Sequence, residues 1–165
     1  MSTVYIIRHA WAEDRDLLHW PTDQERPLTR DGRRRFAAMV RRLVERGFQP
    51  EVIATSPLVR CRQTAEIVAE TVGNDAPIVT LEALEPGSDL QALLAWTARE
   101  AGECGQAAWV GHAPDVGWLT GRLIGAPAGE LRFAKGAVAA VRFAGHPAAG
   151  EGELRWLVTA KMLGC

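Results

Sequence analysis

The sequence predicts an α/β protein in which helices cover both faces of a mostly parallel sheet. Short apolar runs typical of buried strands alternate with helical patterns along most of the chain, and two strand-like runs joined by a Gly- and Pro-containing segment follow near its end. Together they favour a three-layer α/β/α sandwich with a mixed sheet. The 165 residues match the size of one domain, so we predict a single domain over residues 1–165.

Four apolar runs are the predicted strands of the parallel part of the sheet. They are short and mostly β-branched or small, as expected of strands that are buried on both faces. They comprise residues 4–7, 52–55, 77–80 and 107–110. Each is followed by a helical pattern or a turn, which predicts parallel strands joined by helical crossovers.

The first helix lies between the first two strands. Thr29 is its predicted N-cap, and Gly47 stands where a C-cap glycine belongs. Its apolar residues recur at the spacing of one helical face. They are Phe36, Met39, Val40, Leu43 and Val44.

Three further helices are predicted from their start and stop signals. Ser56-Pro57 opens the second, because serine caps free amides and proline suits the first helical position, and this helix runs to about residue 72. The third begins near residues 88–89, and the fourth begins at Pro114 and ends by Gly125.

The C-terminal part of the chain is predicted to form a hairpin. Residues 137–143 and 154–159 are strand-like, and residues 145–152 between them are rich in Gly, Pro and Ala. Antiparallel strands of this kind make the sheet mixed.

Composition excludes several functional classes. A net charge of −1 provides no global field for nucleic acid or an anionic membrane, so neither is an expected partner. Cys61, Cys104 and Cys165 are scattered, which predicts reduced thiols rather than a zinc site. The apolar run at residues 4–7 is too short for a signal peptide or a membrane span. We therefore expect a cytoplasmic monomer.

Basic and imidazole side chains follow three of the predicted strands. Arg8 and His9 follow the first, Arg60 comes just after the second, and His112 follows the fourth. Because the carboxyl ends of parallel strands form one edge of the sheet, these side chains should meet there. Two of the junctions lead into helix N-termini, which favour anions. The expected ligand is a phosphate group.

These residue types suggest a division of roles around a phosphate. A neutral His9 could attack phosphorus through one ring nitrogen, and the charges of Arg8 and Arg60 disfavour its imidazolium form. Arg8, Arg60 and His112 could then stabilise charge on the equatorial oxygens of the transition state. No metal or cofactor is expected, and the chain lacks the motifs of nucleotide triphosphatases and zinc hydrolases.

Three segments resemble the histidine phosphatase superfamily, which has the phosphoglycerate mutase-like fold. They are IRHA at residues 7–10, SPLVRCRQTA at 56–65 and VGHAP at 110–114. The short length and the RPLT segment at 26–29 resemble its SixA-type phosphohistidine phosphatase branch. The resemblance implies that His9 is the phosphorylated nucleophile and that the substrate is phosphohistidine on a partner protein.

The resemblance also implies roles for other residues, and at some of these positions the chain departs from the family pattern. It implies that Arg8, Arg60 and His112 complete the phosphate pocket. Relatives often have glycine and then a small or acidic residue after the arginine-histidine pair, where this chain has alanine and tryptophan. Many relatives also supply a carboxylate proton donor before the third helix. Glu85 is the candidate here and Glu82 a weaker one, although SixA-type relatives do not all keep this acid.

Several alternatives remain open. The chain could be a small-molecule phosphatase or mutase, for example acting on a sugar phosphate, or a phosphate-recognising binding module with little turnover. Arg62 is expected to be solvated, and Trp11 and Trp20 are candidates for the pocket rim. The basic residues of the first helix could dock an acidic protein, but a solvated face is favoured. They are Arg30, Arg33, Arg34, Arg35, Arg41, Arg42 and Arg46.

Overall fold

The computed structural model describes residues 1–101, 105–126 and 131–165, so the predicted free thiol of Cys104 lies outside the described residues. The strands of the described residues are β1 (Ser2–Arg8), β2 (Val52–Thr55), β3 (Ile78–Thr80), β4 (Gln106–Gly111), β5 (Val138–Phe143) and β6 (Glu153–Val158). The helices are α1 (Arg30–Val44), α2 (Val59–Val72), α3 (Leu90–Glu100) and α4 (Asp115–Leu123). Three short 3-10 turns span Asp23–Glu25, Glu82–Leu84 and Lys161–Leu163.

The strands form one mixed sheet in the order β3-β2-β4-β1-β5-β6. The pairs β2–β3, β2–β4 and β1–β4 are parallel. The pairs β1–β5 and β5–β6 are antiparallel, which confirms the predicted C-terminal hairpin. The predicted α/β class with a mostly parallel mixed sheet is therefore confirmed.

Two apolar cores lie on opposite faces of the sheet, as the alternation of side chains along a strand requires. From β1, Ile7 packs with Phe36 of α1 in one core, together with residues of α2. Its neighbour Ile6 packs in the other core with Leu93 of α3 and Leu119 of α4. Both faces are covered by helices, so the sheet is the middle layer of a sandwich.

Helix starts follow the sequence signals at three of the four helices. Thr29 caps α1, because its Oγ1 accepts from the backbone N–H of Gly32 at 2.8 Å. Asp89 caps α3 in the same way through Ala92 N–H at 3.1 Å, and α4 begins at Asp115, directly after Pro114.

The predicted start of α2 at Ser56-Pro57 is wrong. This helix begins at Val59 after Leu58, whose ψ of 135° is extended. The hydroxyl of Ser56 lies 2.9 Å from Nε2 of His112 and accepts from Leu58 N–H at 3.4 Å, rather than from an amide in the first turn of α2. A tertiary contact thus takes the place of the expected N-cap.

The order of the strands brings three junctions together. β4 lies between β2 and β1, and its end pairs with both neighbours, through Thr55 and Val110 on one side and Arg8 and Gly111 on the other. The residues that follow these strands therefore share one edge of the sheet. None of the helices in the described residues is long and apolar enough to cross a bilayer.

Candidate active site

His9 is held by backbone hydrogen bonds on both sides of its strand. Its N–H donates to the carbonyl of Gly111 at 3.0 Å, and its own carbonyl accepts from Gly136 N–H at 3.0 Å. The preceding residue, Arg8, donates its N–H to the carbonyl of Ala137 at 3.1 Å. The position of the imidazole is therefore set by β4 and by the segment that leads into β5.

The side chain of His9 has a defined tautomer. Nδ1 lies 2.7 Å from the carbonyl oxygen of Ala10, which can only accept, so Nδ1 carries the proton. The lone pair is then on Nε2. The ring is 8% exposed and lies edge-on to His112, with 5.4 Å between the ring centroids.

The surroundings keep His9 neutral. Burial lowers its pKa, the hydrogen bond to Ala10 opposes this, and the charges of Arg60, His112 and Arg8 lower it further, to about 3. A neutral imidazole with a lone pair on Nε2 is a nucleophile at physiological pH.

The two arginines of the candidate site each have one buried donor without a hydrogen-bond partner. Arg8 donates from Nη1 to the carbonyl of Phe133 at 2.7 Å, and Arg60 donates from Nη1 and Nη2 to Asp23. In both side chains Nε is buried and has no partner among the described residues. Because an unpaired buried N–H is costly, these two atoms indicate a place for an anion.

His112 lies edge-on to His9 and is held by a hydroxyl. Its Nε2 is 2.9 Å from Oγ of Ser56 and 3.4 Å from Sγ of Cys61. Burial, followed by the charge of Arg60, lowers the pKa of His112 to about 4. Burial also raises the pKa of Cys61 to about 12, so its thiol stays protonated and does not compete as a nucleophile.

Thr64 connects two of the junctions, a role that the sequence analysis missed. Its Oγ1 accepts from Ala10 N–H at 3.1 Å and donates to the carbonyl of Arg60 at 2.7 Å. The spacing of one helical turn predicts the contact with the Arg60 carbonyl, but nothing in the sequence indicates the contact with Ala10. Ala10, where relatives often have glycine, is fully buried under this contact.

The two rim candidates lie in different places. The ring of Trp11 packs against the guanidinium of Arg35 on α1, with 4.0 Å from Cζ to the ring centroid. Trp20 lines a cavity of about 170 Å³ together with Asp23, which contacts Arg60. None of the four predicted site residues lines this cavity, so Trp20 is connected to the site only through Asp23.

Glu85 is half-buried and lies in the turn that follows the 3-10 turn Glu82–Leu84, whereas Glu82 is exposed. The carbonyl oxygen of Leu84 is 3.7 Å from where a Cβ on Gly111 would stand, so this turn packs beside the residue before His112. Asp115 holds the same turn by accepting from Gly87 N–H at 2.7 Å.

Other predicted roles fall outside the site. Arg62 is exposed, as expected of a solvated helix residue. On α1, Arg33 and Arg35 are half-buried and the other arginines are exposed. In the part of the chain that the structure describes, no group of three or more His, Cys, Asp or Glu side chains is placed to hold a metal ion.

The buried histidines predict a loss of stability in mild acid. The folded pKa values of about 3 for His9 and about 4 for His112 lie below the ordinary 6.5, so the unfolded chain binds protons that the folded chain does not. Their contribution to the free energy of unfolding is complete above pH 6.5 and is lost as the pH falls through the folded values.

We expect urea titrations to give a lower free energy of unfolding at pH 4.5 than at pH 7, with a smaller decrease in His9→Asn. His19→Asn, at an exposed histidine, is the matched control, and an unchanged decrease in His9→Asn would contradict a buried neutral His9.

Comparisons with known proteins confirm the predicted phosphoglycerate mutase-like fold. A family model described as the histidine phosphatase superfamily (branch 1) matches residues 4–88. An uncharacterised protein from Picosynechococcus sp. is 38% identical over 141 residues, covering 84% of each chain. The protein histidine phosphatase SixA complexed with tungstate has a TM-score of 0.83 at 26% identity, over 98% of this chain and 99% of that one. A phosphoserine phosphatase from Entamoeba histolytica, in complex with phosphoserine, has a TM-score of 0.66 at 14% identity, over 99% and 100% of the two chains.

Proposed function

This chain belongs to the histidine phosphatase superfamily, and from that premise we propose that it removes phosphate from phosphohistidine on a partner protein through a phosphorylated His9. The family and the SixA-like structure make it a phosphohydrolase. The substrate, the covalent intermediate and the independence of metal ions are the parts that we propose.

One observation carries the mechanism: Nδ1 of His9 donates to the carbonyl of Ala10, which leaves the lone pair on Nε2. The charges of Arg8 and Arg60 act on this imidazole, and the Nε–H of each is buried and has no partner among the described residues. In the first step Nε2 attacks phosphorus, and a P–Nε2 bond forms as the bond from phosphorus to the leaving group breaks. The leaving nitrogen or oxygen takes a proton, from Glu85 or from solvent. The phosphoryl group is then on His9.

In the second step water attacks the phosphoryl group of His9. The P–Nε2 bond breaks, inorganic phosphate forms, and the proton of the attacking water passes to the carboxylate of Glu85 or to solvent. The imidazole returns to its neutral form, which its low pKa favours.

Arg8, Arg60 and His112 are the proposed ligands of the phosphoryl oxygens. The guanidinium groups can pair bidentately with phosphate oxygens, and their positive charges offset the charge that builds up in the transition state. This arrangement supplies the neutralising charge from side chains, which supports a reaction independent of metal ions.

Two features support phosphohistidine on a protein as the substrate. The SixA phosphatase matches nearly the full length of both chains. Two of the described connections at the site are also short, since residues 81–89 join β3 to α3 and residues 112–114 join β4 to α4, whereas residues 9–29 form the longer connection from β1 to α1. These connections contain no inserted domain that could close over a small substrate, which suits a substrate presented on a protein surface.

The experiment is a substrate comparison with purified protein. Four phosphorylated compounds are each assayed with and without EDTA: a histidine phosphotransfer protein phosphorylated on histidine, phosphoserine, a sugar phosphate and p-nitrophenyl phosphate. We expect the phosphohistidine protein to give the highest kcat/KM, vanadate to inhibit, and EDTA to have no effect.

The other results of this experiment are decisive as well. A higher kcat/KM on a sugar phosphate or phosphoserine would identify a small-molecule phosphatase. No turnover of any phosphorylated compound would favour a binding module, and loss of activity in EDTA with recovery on adding a divalent metal would refute metal independence.

A further inference from the structure

Residues 13–26, which we call the cap segment, connect β1 to α1 beside the candidate active site. Hydrogen bonds pin both of its ends, since Glu13 N–H donates to the carbonyl of Pro27 at 2.9 Å and Nη1 of Arg26 donates to the carbonyl of Glu13 at 2.9 Å. Near its end, Thr22 and Glu25 form a capping box around the 3-10 turn Asp23–Glu25. The two ends of the cap segment are therefore held together, and the turn that contains Asp23 has a defined local conformation.

Asp23 accepts two hydrogen bonds from one edge of the Arg60 guanidinium. Nη2 of Arg60 donates to Oδ2 of Asp23 at 3.0 Å, and Nη1 donates to the backbone carbonyl of Asp23 at 2.8 Å. The side chain of Arg60 is only 6% exposed, whereas that of Asp23 is 39% exposed, so water reaches this pair mainly from the side of Asp23. The contact spans 37 residues of sequence and joins the cap segment to α2.

A second cation holds Asp23 itself in place. Its Oδ1 accepts from Nε of Arg26 at 3.0 Å, and Nε of Arg15 is 3.4 Å away. Burial alone would raise the pKa of Asp23, but the hydrogen bond from Arg26 and the charges of Arg60, Arg26 and Arg15 lower it overall. The side chain is therefore a carboxylate at neutral pH and is unsuited to donate a proton.

These two hydrogen bonds leave the other edge of the Arg60 guanidinium available to a ligand. A guanidinium has N–H groups on Nε and on both terminal nitrogens, and those that point toward Asp23 are on Nη1 and Nη2. Nε and the second N–H of Nη2 form the side edge, where Nε is buried and has no partner among the described residues. That edge has the spacing for bidentate binding of a phosphate.

We propose that Asp23 is a positioning residue, which holds the Arg60 guanidinium so that its side edge faces the phosphoryl group. The inference rests on the proposed function, because it gives Arg60 the role of phosphate ligand. Asp23 contacts Arg60 and not the substrate. The cap segment thus prepares Arg60 for the transition state before the substrate binds.

Removal of the Asp23 carboxylate should change anion binding in opposite directions, depending on whether Asp23 acts through its charge or by positioning Arg60. If its carboxylate acted only through its charge, its removal would make the pocket more positive and would tighten the binding of an anion. If Asp23 positions Arg60, its removal frees the guanidinium to adopt other rotamers, and anion binding becomes weaker. The sign of the change therefore separates the two roles.

The test measures the dissociation constant of vanadate for four proteins: wild type, Asp23→Asn, Arg60→Ala and the double variant. We expect Asp23→Asn to weaken vanadate binding by about tenfold, the scale of a lost charged hydrogen bond. In the Arg60→Ala background the same change should have almost no effect, because Asp23 acts through Arg60. Asp14→Asn, at an exposed position of the same cap segment, is the matched control and should bind like the wild type.

Two results would overturn the positioning role: tighter vanadate binding by Asp23→Asn, or an equal effect of Asp23→Asn with and without Arg60. Thermal melting of each variant ensures that the folded proteins are compared, and Asp23→Glu, which keeps the charge but moves it, should also bind vanadate more weakly than the wild type. Vanadate binding does not depend on turnover. If the wild type hydrolysed no substrate while the cycle showed coupling, the proposed function would fail and the role of Asp23 would stand.

Discussion

His9→Ala is expected to lower the turnover of p-nitrophenyl phosphate and of a phosphohistidine protein by at least about a thousandfold, as loss of a covalent nucleophile typically does. Alanine removes Nε2 and with it the P–N bond of the proposed intermediate. The backbone anchors of residue 9, to Gly111 and Gly136, are kept. Thermal melting should therefore show a folded protein.

Trapping of the intermediate gives a second measurement of the same prediction. Wild type denatured at alkaline pH should carry phosphate that is labile in acid and stable in base, and His9→Ala should carry none. His19→Ala, at an exposed histidine that pairs with Asp16, is the matched control and should keep wild-type turnover. Near-normal turnover in His9→Ala would contradict covalent catalysis at this residue.

The sequence predicted the candidate residues of the site because their placement depends on regular structure. Arg8, His9 and His112 lie at or just after strand ends, and the alternation of strands and helices predicts that such ends share one edge. Arg60 differs in its details. It lies in the first turn of α2 because the helix begins at Val59, and Asp23 as well as the helix N-terminus determines its surroundings.

Side-chain contacts between residues far apart in the sequence could not be predicted. Ser56 reaches His112 across 56 residues, and Thr64 reaches the backbone of Ala10 across 54. No periodicity connects such pairs, and a serine before a proline is an equally good helix cap. The contact of Asp23 with Arg60 was harder still to predict from the sequence, because an acidic residue in a polar loop is usually solvated. Its role depends on the path of the cap segment, which only the folded chain defines.

The leaving group of the substrate determines whether the reaction needs a proton donor from the protein. Glu85 is half-buried in a turn that packs beside Gly111, and Asp115 holds that turn at the start of α4. An alkyl oxygen is a poor leaving group without a proton, whereas the nitrogen of a phosphohistidine leaves readily and can be protonated by solvent. The need for Glu85 should therefore depend on the substrate.

Glu85→Gln is expected to slow hydrolysis of an alkyl phosphate by about a hundredfold or more, the usual scale of general acid catalysis, and to leave most of the activity on a phosphohistidine protein. Glutamine keeps the shape of the side chain and removes its proton. Rates on both substrates are compared for wild type, Glu85→Gln and Glu82→Gln, and the last variant should be unchanged because Glu82 is exposed. An equal decrease on both substrates in Glu85→Gln would refute this dependence on the leaving group, and a decrease confined to Glu82→Gln would make Glu82 the donor. No decrease in either variant would mean that solvent supplies the proton to both classes of leaving group.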